Sequence, residues 1–170
     1  MKHTKFYFIW LTVLLLLSGS TYSQQSKFKA IIVYNFTKYI EWPNITNNEF
    51  VISILDNKEL SKELKFIAEK KKIGMNKLVI KDISQIEDIG NSQIVYIPNK
   101  RLKDLPECLT KSQNENILIV TEFDNGCQKG AGINMLSDGG KLSFEIKKNN
   151  ITSKGLTLSS YLVDMGKEIN

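Results

Sequence analysis

Histidine is nearly absent: the one copy, His3, stands ahead of a long apolar run near the amino terminus. Beyond it the chain has none, which excludes histidine-dependent triads, histidine-ligated zinc sites and histidine acid–base pairs. Any chemistry would have to come from carboxylates, lysine, tyrosine or serine. The glycine fingerprints that let a backbone approach a pyrophosphate are missing too, and no P-loop pattern occurs, so nucleotide-dependent transfer has no support. No cofactor is implied. A strong charge excess is lacking as well. The formal net charge is +5, and removing Lys2 and Lys5 with a leader leaves about +3, with lysines spread among acids. Only Lys70, Lys71 and Lys72 cluster, at the end of an expected helix where cations suit the macrodipole. Nucleic-acid binding is therefore not expected. No low-complexity linker or internal repeat interrupts the chain.

What is present begins with a leader. Lys2 and Lys5 precede apolar residues 6–17 and the small polar stretch SGSTYS, the pattern of a secretory signal peptide over residues 1–23 with a cut near Ser23 and Gln24. The run is short for a membrane span. Residues 24–170 then have the length of one domain with its own core. Cysteine is scarce, at two copies, Cys108 and Cys127. An even pair in an exported chain predicts a disulfide, worth roughly 3 kcal/mol by loop entropy.

Residues 26–42, SKFKAIIVYNFTKYIEW, place Phe28, Ile31, Ile32, Phe36, Tyr39 and Ile40 at helical spacing, and Pro43 ends the helix. Residues 50–55, 77–83, 93–97 and 116–121 are short apolar runs bounded by turn formers and read as strands. Helices are predicted at 58–72, stopped by Gly74, and at 99–113, broken or started late by Pro106. The most informative stretch is 130–162. Apolar runs at 133–136 and 142–146 flank Ser137-Asp138-Gly139-Gly140, a tight hairpin turn. Asn149 and Asn150 are placed to cap a short helix and Ser159-Ser160 to start a last one. Strand–helix alternation predicts an α/β fold: a mostly parallel central sheet with flanking helices, Rossmann-like and three-layered, carrying an antiparallel carboxyl-terminal hairpin over 133–146.

Candidate chemistry is thin. Asp56 follows the first of these strands, at the end where open α/β sheets place ligands. Glu122 and Asp124 follow the fourth and would complete a carboxylate set of the kind some glycosidases use. A solvated loop explains them as well. No catalytic or metal-binding signature stands out.

Two blocks of sequence resemble a known family. Residues 29–43, KAIIVYNFTKYIEWP, are similar to the opening helix of the YfiR family of exported bacterial proteins. The second block comprises Gly132-Ile133-Asn134-Met135, Leu142-Ser143-Phe144-Glu145-Ile146, and Gly155-Leu156 with Leu158-Ser159-Ser160-Tyr161-Leu162. The resemblance implies a single non-enzymatic periplasmic α/β domain. It would restrain a membrane diguanylate cyclase by binding that enzyme's periplasmic sensor part, raising cyclic di-GMP and favouring biofilm growth on release. Some relatives accompany histidine kinases instead. The namesake carries two disulfides where this chain has one cysteine pair. Tyr34, Tyr39 and Trp42 are the expected partner-binding residues, with Tyr34 and Trp42 read as the aromatics left at the surface. A small-ligand receptor and a carboxylate-dependent secreted enzyme are the alternative readings, and a homodimer is left open.

Overall fold

The computed structural model describes residues 20–43, 45 and 48–170. Most of the expected signal peptide, residues 1–19, lies outside the described residues.

Helix α1, Ser20–Tyr39, runs into strand β1, Ile40–Glu41. Then come β2 (Glu49–Leu55), α2 (Lys58–Ala68), β3 (Lys72–Ile73), β4 (Asn76–Ile83), a 3-10 turn at Ile86–Ile89 and β5 (Ile94–Ile97). A 3-10 segment at Asn99–Asp104 leads into α3 (Leu105–Lys111), β6 (Leu118–Thr121), β7 (Ile133–Asp138), β8 (Lys141–Ile146), α4 (Lys148–Thr152), β9 (Thr157–Leu158), α5 (Ser160–Met165) and β10 (Lys167–Glu168).

The main sheet has the order β10-β8-β7-β6-β5-β2-β4-β3. Strands β4, β2, β5, β6 and β7 are mutually parallel, and β8 returns antiparallel to β7. The chain leaves β2 for β4 on one side and crosses back to β5 on the other, so a topological switch point falls between β2 and β5. Side-chain alternation explains the three layers. Ile94 and Tyr96 of β5 enter a cluster with α1 and α2, while Val95 and Ile97 enter a second cluster with Leu105 and Cys108. The mostly parallel three-layer α/β fold is as expected. Gly139 and Gly140 turn the β7–β8 hairpin with φ of 53° and 84°, angles that side chains with a Cβ adopt at a cost.

Local departures have tertiary causes. The first helix ends at Tyr39 because Ile40 and Glu41 pair antiparallel with Leu158 and Thr157. The helix expected over 99–113 is split, with Arg101 in a non-helical conformation between the two halves. Lys147, not Asn149 or Asn150, occupies the N-cap of α4. Asn150 instead donates through Nδ2 to the Cys127 and Ala131 carbonyls at 2.9 and 2.8 Å, tying the loop after β6 to that helix.

Candidate functional site

The carboxyl ends of β2, β5 and β6 carry two adjoining clefts. One, of about 440 Å³, is lined by Asp56, Asn57, Glu59, Pro98, Lys100 and Glu122 among others. The second, of about 520 Å³, lies beneath the start of α1 and is lined by Gln25, Lys29, Glu122, Phe123, Asp124 and Ser137 among others. Glu122 and Asn99 belong to both. All three carboxylates expected to matter thus reach this edge of the sheet. Asp56 shares one cleft with Glu122, and Glu122 shares the other with Asp124.

Neither Asp56 nor Glu122 is an unpartnered acid or base. Glu122 Oε2 accepts from Lys29 Nζ and, at 2.6 Å, from the Tyr96 hydroxyl. Lys29 and Glu122 retain only 17% and 15% of their side-chain exposure. Burial, reinforced by the Glu122 charge, raises the Tyr96 phenol well above its ordinary pKa, which keeps it a donor. Asp56 adopts a positive φ of 48° as the chain turns from β2 into α2. Its carboxylate is gripped by Arg101, the chain's single arginine, which also holds Asp104 and donates to the Ser84 carbonyl at 2.9 Å. A carboxylate occupied in this way serves to fix loops.

The loop from β6 to β7 is moulded by groups that the sequence reading missed. Asn134 Oδ1 accepts from Thr121 Oγ1 at 2.8 Å and from the Phe123 backbone N–H at 3.2 Å. A Cβ at Gly126 would fall 2.1 Å from Thr121 Oγ1, so this close approach requires glycine. The available signal was a polar asparagine inside the apolar run Gly132-Ile133-Asn134-Met135.

The expected disulfide is not formed. Cys108 and Cys127 are both free and buried. Cys108 points from α3 into the cluster with Leu105 and Ile119, whereas Cys127 Sγ faces the Gly132 and Glu145 carbonyls at 3.8 and 3.7 Å. Burial is the main cause that pushes each thiol up to about 12.

The aromatic set is also taken into packing. Tyr34 is buried, against the expectation that it would remain at the surface. Trp42 is half-buried, packed edge-on to Phe50 at 4.8 Å, with Nε1 donating to the Gln93 carbonyl at 3.2 Å. Tyr39 is half-buried 5.1 Å from Tyr161, whose own ring is 56% exposed. Among the described residues no cluster of three or more His, Cys, Asp or Glu could hold a metal. No described helix is long and apolar enough to cross a membrane.

A family model described as YfiR/HmsC-like matches residues 26–167, almost the whole described fold. The chain belongs to the YfiR/HmsC-like family. That membership supports a regulatory role at the level of the family. No curated protein matches the chain significantly. Among solved structures, an ABC domain from Streptococcus pneumonia, in complex with L-Trp, superposes with a TM-score of 0.53 at 12% identity. It covers 74% of this YfiR/HmsC-like chain and 57% of its own. A conserved domain protein from Vibrio cholerae gives 0.51 at 14% identity over 74% and 56%. The chain therefore spans little more than half the length of these two structures. At such identities the likeness is one of α/β fold alone.

Proposed function

We propose that this chain is an exported, non-enzymatic regulator that docks on the periplasmic part of an inner-membrane signalling enzyme, a diguanylate cyclase or a sensor kinase, and restrains its output. The observation that carries this reading is the YfiR/HmsC-like match over residues 26–167. The occupied state of the strand-end carboxylates supports it, because a carboxylate mechanism would first have to strip Arg101 from Asp56 or Lys29 from Glu122. Docking would use Tyr39, one of the expected aromatics, together with Tyr161, which packs beside it and is 56% exposed. A regulator shifts its partner only through differential affinity for the partner's two states. The direct test is capture from solubilised membranes with the tagged protein, followed by mass spectrometry. Recovery of a membrane protein joining a periplasmic sensor region to a cytoplasmic cyclase or kinase is expected; reproducible recovery of none would overturn the reading.

A second reading, a periplasmic small-ligand receptor, is favoured by the two clefts at the switch point, where open α/β sheets bind ligands. The Streptococcus neighbour was solved with L-Trp bound. Ligand-dependent thermal shifts test this, since a ligand selective for the native state raises apparent stability by mass action.

A further inference from the structure

The run Lys70-Lys71-Lys72 sits differently in the fold from the helix end expected for it. Helix α2 stops at Ala68, so only Lys70 lies close to its carboxyl end, while Lys71 precedes β3 and Lys72 opens it. Strand β3 turns at once into β4 through Gly74 and Met75, with Ile73 opposite Asn76. Gly74 takes a φ of 57° at the first position of this two-residue loop, as a II′ hairpin turn requires. The Asn76 side chain ties the turn by donating to the Ile73 carbonyl at 3.2 Å. The tip is thus fixed, and it protrudes: a Cβ at Gly74 would meet nothing within 4 Å, and Met75 is 91% exposed.

Lysines surround this apolar tip. Lys70, Lys71, Lys72 and Lys77 are all exposed, and none enters an ion pair among the described residues. The carboxylates at hand are Glu69, directly before the run, and Glu49, opposite Lys77 in the β2–β4 register. With both set against the four lysines, a surplus of two positive charges remains. Helix α1, packed beside α2, adds no Asp or Glu. One turn back on α2 a second apolar group reaches solvent: Phe66 is 54% exposed, with Lys70 Nζ 4.0 Å from its ring centre. An exposed apolar tip set among cations suits an anionic lipid surface, where the apolar side chain enters the acyl boundary and the lysines stay at the headgroups. A nucleic acid would use the lysines and leave Met75 in water. A protruding two-residue tip also supplies little of the interface of about 1,000 Å² that a protein partner needs.

We propose that the β3–β4 hairpin is a contact with an anionic membrane surface, Met75 entering between the headgroups and Lys70, Lys71, Lys72 and Lys77 lying over the phosphates. Strands β3 and β4 form one edge of the main sheet and β10, which follows α5, forms the other, so lipid at this tip leaves the Tyr39–Tyr161 pair free. Vesicle binding needs no partner protein, so it and capture of a membrane enzyme fail separately. The purified protein is sedimented with vesicles of phosphatidylglycerol and phosphatidylcholine in equal parts, and with vesicles of phosphatidylcholine alone. Pelleting with the mixed vesicles only is expected, weakening steeply as salt is added, with amide exchange slowed across residues 70–77. Replacing both Lys71→Gln and Lys72→Gln should weaken binding about 25-fold, about fivefold for each charge removed. Met75→Ser should weaken it about tenfold. These side chains are exposed, so both variants should keep the wild-type melting curve. Equal pelleting with both vesicles, pelleting with neither, protection mapping elsewhere, or indifference to the lysine changes would each overturn the proposal. Indifference to Met75→Ser alone would overturn the insertion of the tip. Retention on heparin with none on vesicles would assign the lysines to an acidic macromolecule and overturn the membrane contact.

Discussion

At the scale of single residues, the two thiols turn burial into a measurable pH dependence. Each ordinarily titrates near 9 and is pushed up to about 12 in the fold, chiefly by burial. The folded state therefore keeps protons that the unfolded chain gives up. This contribution is fully present below about pH 9 and is lost as the pH climbs towards 12. Melting temperature should fall over that window, and Cys108→Ala should flatten the fall relative to wild type. Without reductant, iodoacetamide should leave the native protein's mass unchanged and add two adducts once guanidinium unfolds it. A missing pair of adducts in the unfolded sample would restore the disulfide. The expected export and the even cysteine number favoured a bond; only the fold shows that the thiols look towards different neighbours. Glu122 gives the same lesson. Its position after a strand end was legible, but its partner Lys29 lies 93 residues away. Glu122→Gln keeps an acceptor for Tyr96 while leaving Lys29 uncompensated in a mostly buried place, and should cost about 2 kcal/mol in urea unfolding. In the Lys29→Met background the same change should cost less, the signature of coupling.

At the scale of elements, what could be read in advance was whatever depends on local pattern. The alternation of Leu142, Phe144 and Ile146 against Lys141 and Ser143 specified β8, and Ser159 caps α5 by accepting from the Leu162 N–H. Elements that exist only through distant pairing escaped: β1 with β9, and β10 beside β8, are two residues long and carry no periodicity of their own. Caps are the local feature with the clearest energetic consequence. Asn57 Oδ1 accepts from the Leu60 N–H at 3.1 Å and satisfies one of the four free donors at the start of α2. Asn57→Ala should cost about 1 kcal/mol, read from the urea midpoint at unchanged slope. Asn57→Gly should recover most of that loss, since glycine suits the N-cap backbone. If alanine and glycine cost the same, the whole loss lies in the side-chain bond that both lack; if neither costs anything, that bond contributes nothing and the turn alone sets the helix start.

At the scale of the whole molecule, the question is whether regulation and stability can be separated by mutation, and the burial of the aromatic set says where. Aromatic residues at helical spacing more often pack a core than form a docking surface, with Tyr34 and Trp42 expected as the exceptions; the fold assigns Tyr34 to the core and ties Trp42 to Phe50 and to the Gln93 carbonyl. Trp42→Ala removes an edge-on ring contact and leaves a void beside β2, so it should cost about 3 kcal/mol. Any loss of regulation in that variant would follow from unfolding. Tyr161 differs. Its ring is 56% exposed on α5 and leans on Tyr39 from outside, while its neighbour Leu162 does the anchoring in the core. Tyr161→Ala should therefore change stability by less than about 1 kcal/mol. If the Tyr39–Tyr161 pair docks the partner, the same variant should release the membrane enzyme, seen as a rise in its product in cells and weaker capture of the partner by the tagged protein. An unchanged output with unchanged stability would clear this patch of any docking role and leave the regulator reading to another face. A changed output with Tyr161→Phe retaining wild-type behaviour would show that the ring's contact area, and not its hydroxyl, is what the partner reads.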